Sequence, residues 1–267
     1  MRLNRNIICF LLVFSFSALT LNSQSVYEVK KTHFTIMGTL GEDSAYKTPY
    51  FVLCSDREYP KVMIDAGIHG DEVAGIYACD SIMKYIEITE GSLVLVPMTN
   101  IQAVRLGVRG VGVDFNQVFP GNKEGSIYEE KLAYDFMKFV REVNPDLVIN
   151  LHEAWTRFDE NLYQRQKDKS FGQTIITNND SIPLFLTDVL KKINAKITIE
   201  PDKFRIQVFP YKPNHSMDNI IEKLKTPSYT VETLRTLALE DRIRYQIISI
   251  LAFLNEAGVK FTYKKEF

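Results

Sequence analysis

Apolar and polar positions along this chain follow two periods, and the points where one gives way to the other mark out its elements. Short runs dense in Val, Ile and Leu read as strands at 48–55, 61–66, 92–98 and 146–151, with further strands at 172–178, 204–209 and 228–232. Strands this apolar belong to a sheet covered on both faces. Between them, apolar residues recur every three or four positions at 72–87, 126–144, 182–193, 216–225 and 239–257, the spacing of amphipathic helices. In the first of these, Val73, Ile76, Tyr77, Ile82 and Met83 are expected to pack toward the sheet, and in the second Ser126 with Glu129 reads as a capping box. The stretch 99–125, punctuated by Gly107, Gly110, Gly112 and Gly121, reads as one long loop, and a loop of that length in a compact domain is usually functional. This alternation predicts an α/β fold, a three-layer α/β/α sandwich around a mixed, mostly parallel sheet.

Composition narrows the picture. A chain of 267 residues, 45% hydrophobic and 12% aromatic, closes one sizeable core, so residues 25–267 are expected to form a single catalytic domain. Residues 1–24 read as an export signal, with Arg2 and Arg5 ahead of the apolar run 7–19 and small or polar residues after it. That run is too short for a permanent anchor, and Cys9 lies at its start rather than after it, against a lipid-anchored form. The expected product is secreted or periplasmic, with no stable membrane insertion once the signal is removed. The net charge of −1 becomes −3 without the two leader arginines, which points away from nucleic acid and other polyanions. Cys54 and Cys79 remain, as a disulfide or as two buried thiols.

The densest chemistry lies in Gly67-Ile68-His69-Gly70-Asp71-Glu72, where a buried strand gives way to a helix. An imidazole and a carboxylate three residues apart can be aimed at one point there. His152 follows another strand and can reach the same sheet edge, so His69, Glu72 and His152 make a candidate zinc set with an open position for water. Glu232, at the end of the apolar run Tyr229-Thr230-Val231, is the candidate general base, weighed against an ordinary strand-end glutamate. Arg109 can stabilise charge on a carbonyl oxygen, and Asn116 and Gln117 offer neutral donors and acceptors to a substrate. The plainer reading has Asp114 and Asn116 only satisfying turn amides.

These residues resemble the zinc carboxypeptidase superfamily, and within it the branch of succinylglutamate desuccinylase, aspartoacylase and related deacylases. The resemblance is carried by His69-Gly-Asp-Glu72, by Asn100-Ile-Gln-Ala103 through Arg109 to Asp114-Phe-Asn-Gln-Val-Phe-Pro-Gly121, by Leu151-His152 and by Thr230-Val-Glu232-Thr233. His152 lies 80 residues after Glu72, and Glu232 lies 80 after His152, so the motifs cover nearly all of residues 25–267. The resemblance implies a carboxypeptidase-like (phosphorylase/hydrolase-like) fold and one zinc ion per chain on His69, Glu72 and His152. It also implies Glu232 as base and acid, Arg109 polarising the scissile carbonyl, and Asn116 on a substrate carboxylate or polar head group.

Two departures stand out. Gln117 occupies a position where the family usually has arginine gripping a substrate carboxylate, and losing that ionic grip costs on the order of 2 kcal/mol in binding. Either the substrate lacks a carboxylate there, or Arg157, Arg165 or Arg205 reaches in. Only residues 258–267 follow the last helix, so the β-rich domain that desuccinylases append is not expected. Among other residues, Trp155 lines a cleft or caps the core, Glu153 is expected in a salt bridge, and His33 is structural. His215 reads as an exposed loop histidine or a substrate contact, and Tyr211 as a candidate substrate hydroxyl. The expectation is an exported hydrolase that cleaves an amide bond by attack of zinc-bound water, acting on a peptide, an acylated amino acid or a cell-wall fragment. The rival readings are a zinc-fold protein that only binds a peptide or cell-wall fragment, and an esterase using the same centre.

Overall fold

The computed structural model describes residues 34–41, 47–159, 171–209 and 216–265. Among them, eight strands build one sheet: β1 (Phe34–Leu40), β2 (Thr48–Cys54), β3 (Lys61–Ala66), β5 (Ser92–Val96), β6 (Leu147–Ala154), β7 (Thr174–Thr177), β8 (Arg205–Val208) and β9 (Ser228–Leu234). Their order is β1-β2-β5-β3-β6-β9-β7-β8. The middle, β5-β3-β6-β9, is parallel, while β1, β2 and β7 pair antiparallel with β2, β5 and β9.

Alternation within the strands divides the core in two. Val62, Ile64 and Ala66 of β3 face a cluster with Ala78 and Ile82 of α1 (Val73–Tyr85), Leu186 and Val189 of α4 (Leu184–Asn194), and Tyr245 and Phe253 of α6 (Leu239–Glu256). Met63, between them, joins Val148 and the opposite cluster, with Leu132 and Phe136 of α3 (Tyr128–Val143) and Ile220 and Ile221 of α5 (Met217–Glu222). Helices therefore cover both faces, and the three-layer α/β/α sandwich read from the sequence is the observed fold.

Several elements differ from expectation. The first helix stops at Tyr85 rather than 87, because the alternating Ile86-Glu87-Ile88-Thr89 run continues as β4 (Ile86–Glu90), which pairs with β10 (Lys260–Tyr263) in a separate ribbon. The stretch 99–125 is not structureless. It contains α2 (Ile101–Leu106), capped by the Asn100 side chain on Ala103 N and ended by Gly107 at φ 63°, and a 3₁₀ turn at Phe115–Gln117 capped by Asp114. Helix α3 has Ile127 as N-cap with no side-chain cap bond, so the capping box does not form. Glu129 is buried and instead accepts from Val111 N at 2.7 Å and Gly112 N at 2.9 Å, tying down the loop that carries Arg109. Cys54 and Cys79 are both buried free thiols. Residues 1–24, read as an export signal, and His33, Arg165, Tyr211 and His215 lie outside the described residues.

Candidate metal centre and active site

Three parallel strands bring the chemistry to one edge of the sheet. Ala66 is level with Leu151 and Leu151 with Val231, so the chain leaves β3 toward His69 beside the point where β6 presents His152 and β9 presents Glu232 as direct neighbours. The turn after β3 is fixed by Gly67 at φ +69° and by Gly70, where a Cβ would come within 2.0 Å of the Ala103 backbone in α2. No other residue type fits Gly70 without displacing that helix.

Within the turn, His69 Nδ1 lies 2.8 Å from Glu72 Oε1, and His152 Nδ1 lies 2.8 Å from Glu72 Oε2. The two Nδ1 atoms are 3.1 Å apart, and all three side chains are 3% exposed. Ligand atoms from His69, Glu72 and His152 lie within 4.8 Å of one another, the metal-competent group found among the described residues. Asp114 Oδ1 meets His69 Nε2 at 3.1 Å, which holds a proton on Nε2 and turns Nδ1 toward the cluster. Two imidazole nitrogens facing each other beside a carboxylate repel unless a proton or a cation lies among them. The donor set, two nitrogens and a carboxylate in a buried corner, fits zinc.

The electrostatics agree. Burial opposes a charged His69, but the Glu72 carboxylate and the Asp114 contact outweigh it and lift the group to about 9. Glu72 and Asp114 are driven well below the usual carboxylate range: burial works against this, and the imidazoles, with Arg109 as well for Asp114, more than offset it. Glu232 moves the other way. Burial first, and the Glu72 carboxylate second, raise it well above an ordinary glutamate, and its buried Oε2 has no hydrogen-bond partner among the described residues. Its protonated form is therefore favoured over that of an ordinary glutamate, beside the ligand cluster.

Arg109 Nη1 donates to Glu72 Oε1 at 3.2 Å, while its Nε and Nη2 grip Asp114 Oδ2 at 3.2 and 2.9 Å. Asn116 N donates to Asp114 Oδ1, and Asn116 Oδ1 accepts from Met217 N at 3.0 Å, which anchors the loop to α5. Asp114 thus does more than satisfy a turn amide: it orients an imidazole and a guanidinium together. Sequence reading missed that role, and the available sign was an acid in the same loop as Arg109 and Asn116. Glu153 forms the expected salt bridge, with Arg242 at 2.6 Å, while its backbone N–H holds Glu72 Oε2 at 3.0 Å. Arg157 does not reach in, since it pairs with Asp202 at 2.9 Å and lines a different cavity together with Arg205.

A cavity of about 500 Å³ opens over the cluster, and His69, Glu72, Arg109, Asn116, Gln117, His152 and Glu232 all line it. All seven residues singled out from the sequence therefore converge on one pocket. Asp218 and Trp155, which lie on its walls, complete the setting, and Trp155 is at the exposed rim rather than in the core.

Residues 58–171 match the family described as succinylglutamate desuccinylase/aspartoacylase catalytic domain, a segment that holds every candidate site residue except Glu232. No curated protein matches the chain. Among solved structures, product-bound Cell Shape Determinant protein Csd4 from Helicobacter pylori superposes with a TM-score of 0.72 at 18% identity, over 88% of this chain and 57% of that one. The mDAP-bound form of the same protein, described as a D,L-carboxypeptidase, gives 0.70 at 20% identity, over 76% and 52%. A succinylglutamate desuccinylase/aspartoacylase from Rhodobacter sphaeroides gives 0.63 at 18%, over 90% and 70%. The chain thus spans little more than half the length of the Csd4 structures, and at these identities the likeness is one of fold. The resemblance drawn from the motifs is borne out by the family match and by this shared fold.

Proposed function

Taking as premise the deacylase-type match over residues 58–171, we propose that this chain is a zinc-dependent hydrolase of amide bonds, of the carboxypeptidase or N-acyl amino acid deacylase type. The observation that carries this reading is the meeting of His69 Nδ1, His152 Nδ1 and both Glu72 oxygens in one buried corner beside Glu232. Zinc held by His69, Glu72 and His152 would supply Lewis acidity and bring the pKa of a coordinated water toward neutrality. Around it, each residue has a defined task. The Glu232 carboxylate, made basic by burial, accepts a proton from the attacking water and returns it to the leaving nitrogen. Arg109, 55% exposed at its side chain and held by Glu72 and Asp114, faces the pocket and donates to the carbonyl oxygen as its charge grows. Asn116 and Gln117 meet a polar head group. A tripeptide-bound Csd4 among the structures of shared fold supports a peptide as substrate, alongside an acylated amino acid or a cell-wall fragment.

Metal content and turnover test the roles separately. His69→Ala and Glu72→Ala are expected to abolish stoichiometric zinc, whereas Glu232→Gln keeps zinc and loses at least about a hundredfold in hydrolysis. A zinc-replete protein that retains peptides or N-acyl amino acids but cleaves none would replace the hydrolase with a binding protein. Preferential cleavage of ester over matched amide analogues would favour an esterase.

We also propose that the chain is exported, on the strength of the charged and apolar pattern in residues 1–24. No helix of the described residues is long and apolar enough to cross a membrane. Terminal sequencing of the protein from the extracytoplasmic fraction should find a start near residue 25. A chain retained in the cytoplasm and beginning at Met1 would contradict export.

A further inference from the structure

Strand order gives the pocket a direction. From His152 on β6 the sheet passes to Glu232 on β9, then to β7, where Ile176 pairs with Thr230, and then to the end of β8, where Phe209 N–H bonds to Thr177 O. The side of the pocket away from the metal ligands is therefore built from the β7–β8 edge. Its lining is mostly apolar, with the Asn178 amide beside it: Ile176 is half-buried, and Phe171 and Phe209 lie with ring centroids 5.8 Å apart. At the mouth stands Trp155, 67% exposed, with the Arg235 guanidinium 4.4 Å from its ring centre. Arg235 is itself fixed by two 2.7 Å bonds to the Asp71 carboxylate and carbonyl, so one face of the indole lies against an anchored cation and the ring is held in place.

Charge points the same way. Glu72, Glu153, Asp218 and Glu232 line the pocket, and Asp218 already accepts from the Ser228 and Thr230 hydroxyls. Arg109 is the one lysine or arginine among the described lining residues, and it is engaged by Glu72 and Asp114. Among the described residues, an anionic substrate group on the β7–β8 side would find the Asn178 amide but no lysine or arginine, whereas an apolar group would bury surface against Ile176 and the two phenylalanine rings.

We propose that Trp155, Phe171, Ile176 and Phe209 form an apolar subsite that takes an uncharged aliphatic or aromatic group flanking the scissile amide. The inference rests on the hydrolase reading and names its substrate class. Trp155 is the only tryptophan in the chain, so its fluorescence reports occupancy without turnover.

The test uses zinc-loaded, full-length Glu232→Gln protein titrated with matched probes. N-acetyl-leucine and N-acetyl-phenylalanine are set against N-acetyl-aspartate and N-acetyl-glutamate, and N-hexanoyl-glycine against N-succinyl-glycine, so that each flank of the amide is sampled. In at least one of the two series the apolar probes should bind about tenfold tighter or better and shift the tryptophan emission. Ile176→Asn and Phe209→Ala, each checked for native circular dichroism, should each erase most of that preference. Equal or tighter binding of the acidic probes in both series, a preference kept by either folded variant, or no response to any probe overturns the subsite. An apolar preference in binding with no cleavage of any probe by wild-type enzyme would sink the hydrolase reading and leave the subsite standing. Cleavage of the acidic substrates in preference would do the reverse.

Discussion

His69 is held from both sides, by Glu72 at Nδ1 and by Asp114 at Nε2, and its pH behaviour follows from that pairing. Its folded pKa of about 9 lies above the ordinary 6.5, so the charged imidazolium stabilises the metal-free protein fully below about pH 6.5. That contribution disappears as pH rises through about 9. Thermal melts of chelator-treated protein should therefore show falling stability between these limits, and His69→Asn should flatten that part of the profile. A metal-free wild-type profile that is flat from pH 6.5 to 9 would contradict the pairing. The ligands themselves were legible in the sequence because His69 and His152 each accompany an unmistakable apolar strand and Glu72 lies three residues beyond His69. Asp114 was not, since nothing in Asp114-Phe115-Asn116 distinguishes an acid that caps a turn from one that also orients a distant imidazole.

At the scale of elements, the site depends on a turn pressed against a helix. The Gly70 position leaves no room for a Cβ, which would lie 2.0 Å from Ala103 C and 2.2 Å from Val104 N. Gly70→Ala must push the His69–Glu72 turn away from α2, and with it the ligand pair. We expect a loss of roughly 1–3 kcal/mol in stability from overpacking, together with more than tenfold weaker zinc binding. Chemical denaturation and zinc titration of the same variant check both, and native zinc affinity would show that the turn tolerates the shift. The strands and longer helices were readable because each sustains a period over enough residues. Helix α2 was not, as its six residues include only two buried side chains, Ile101 and Ala103, inside a glycine-rich stretch. Nor was the fate of Glu129, whose spacing from Ser126 suits a cap but whose carboxylate serves a loop distant in sequence. Local pattern cannot distinguish a helix cap from a long-range brace.

Across the whole molecule, one doubly covered sheet brings together Glu72, His152 and Glu232, which lie 80 residues apart in sequence, and the pocket is the consequence of that alignment. The alternation of strands and helices made the architecture legible, and the spacing of the motifs made the convergence predictable. The pocket's character was not legible, because it depends on which strands lie beyond β9. The order β9-β7-β8 places Ile176 and the Phe171–Phe209 ring pair on the pocket wall beyond Glu232. Every proposed role in the pocket depends on the metal. A crystal structure of the zinc-soaked protein, with diffraction recorded on both sides of the zinc absorption edge, tests it most directly. The prediction is a single strong anomalous peak within bonding distance of His69 Nδ1, Glu72 and His152 Nδ1, with Glu232 facing it across the pocket. A peak held by other residues, or no peak at that corner, would contradict it.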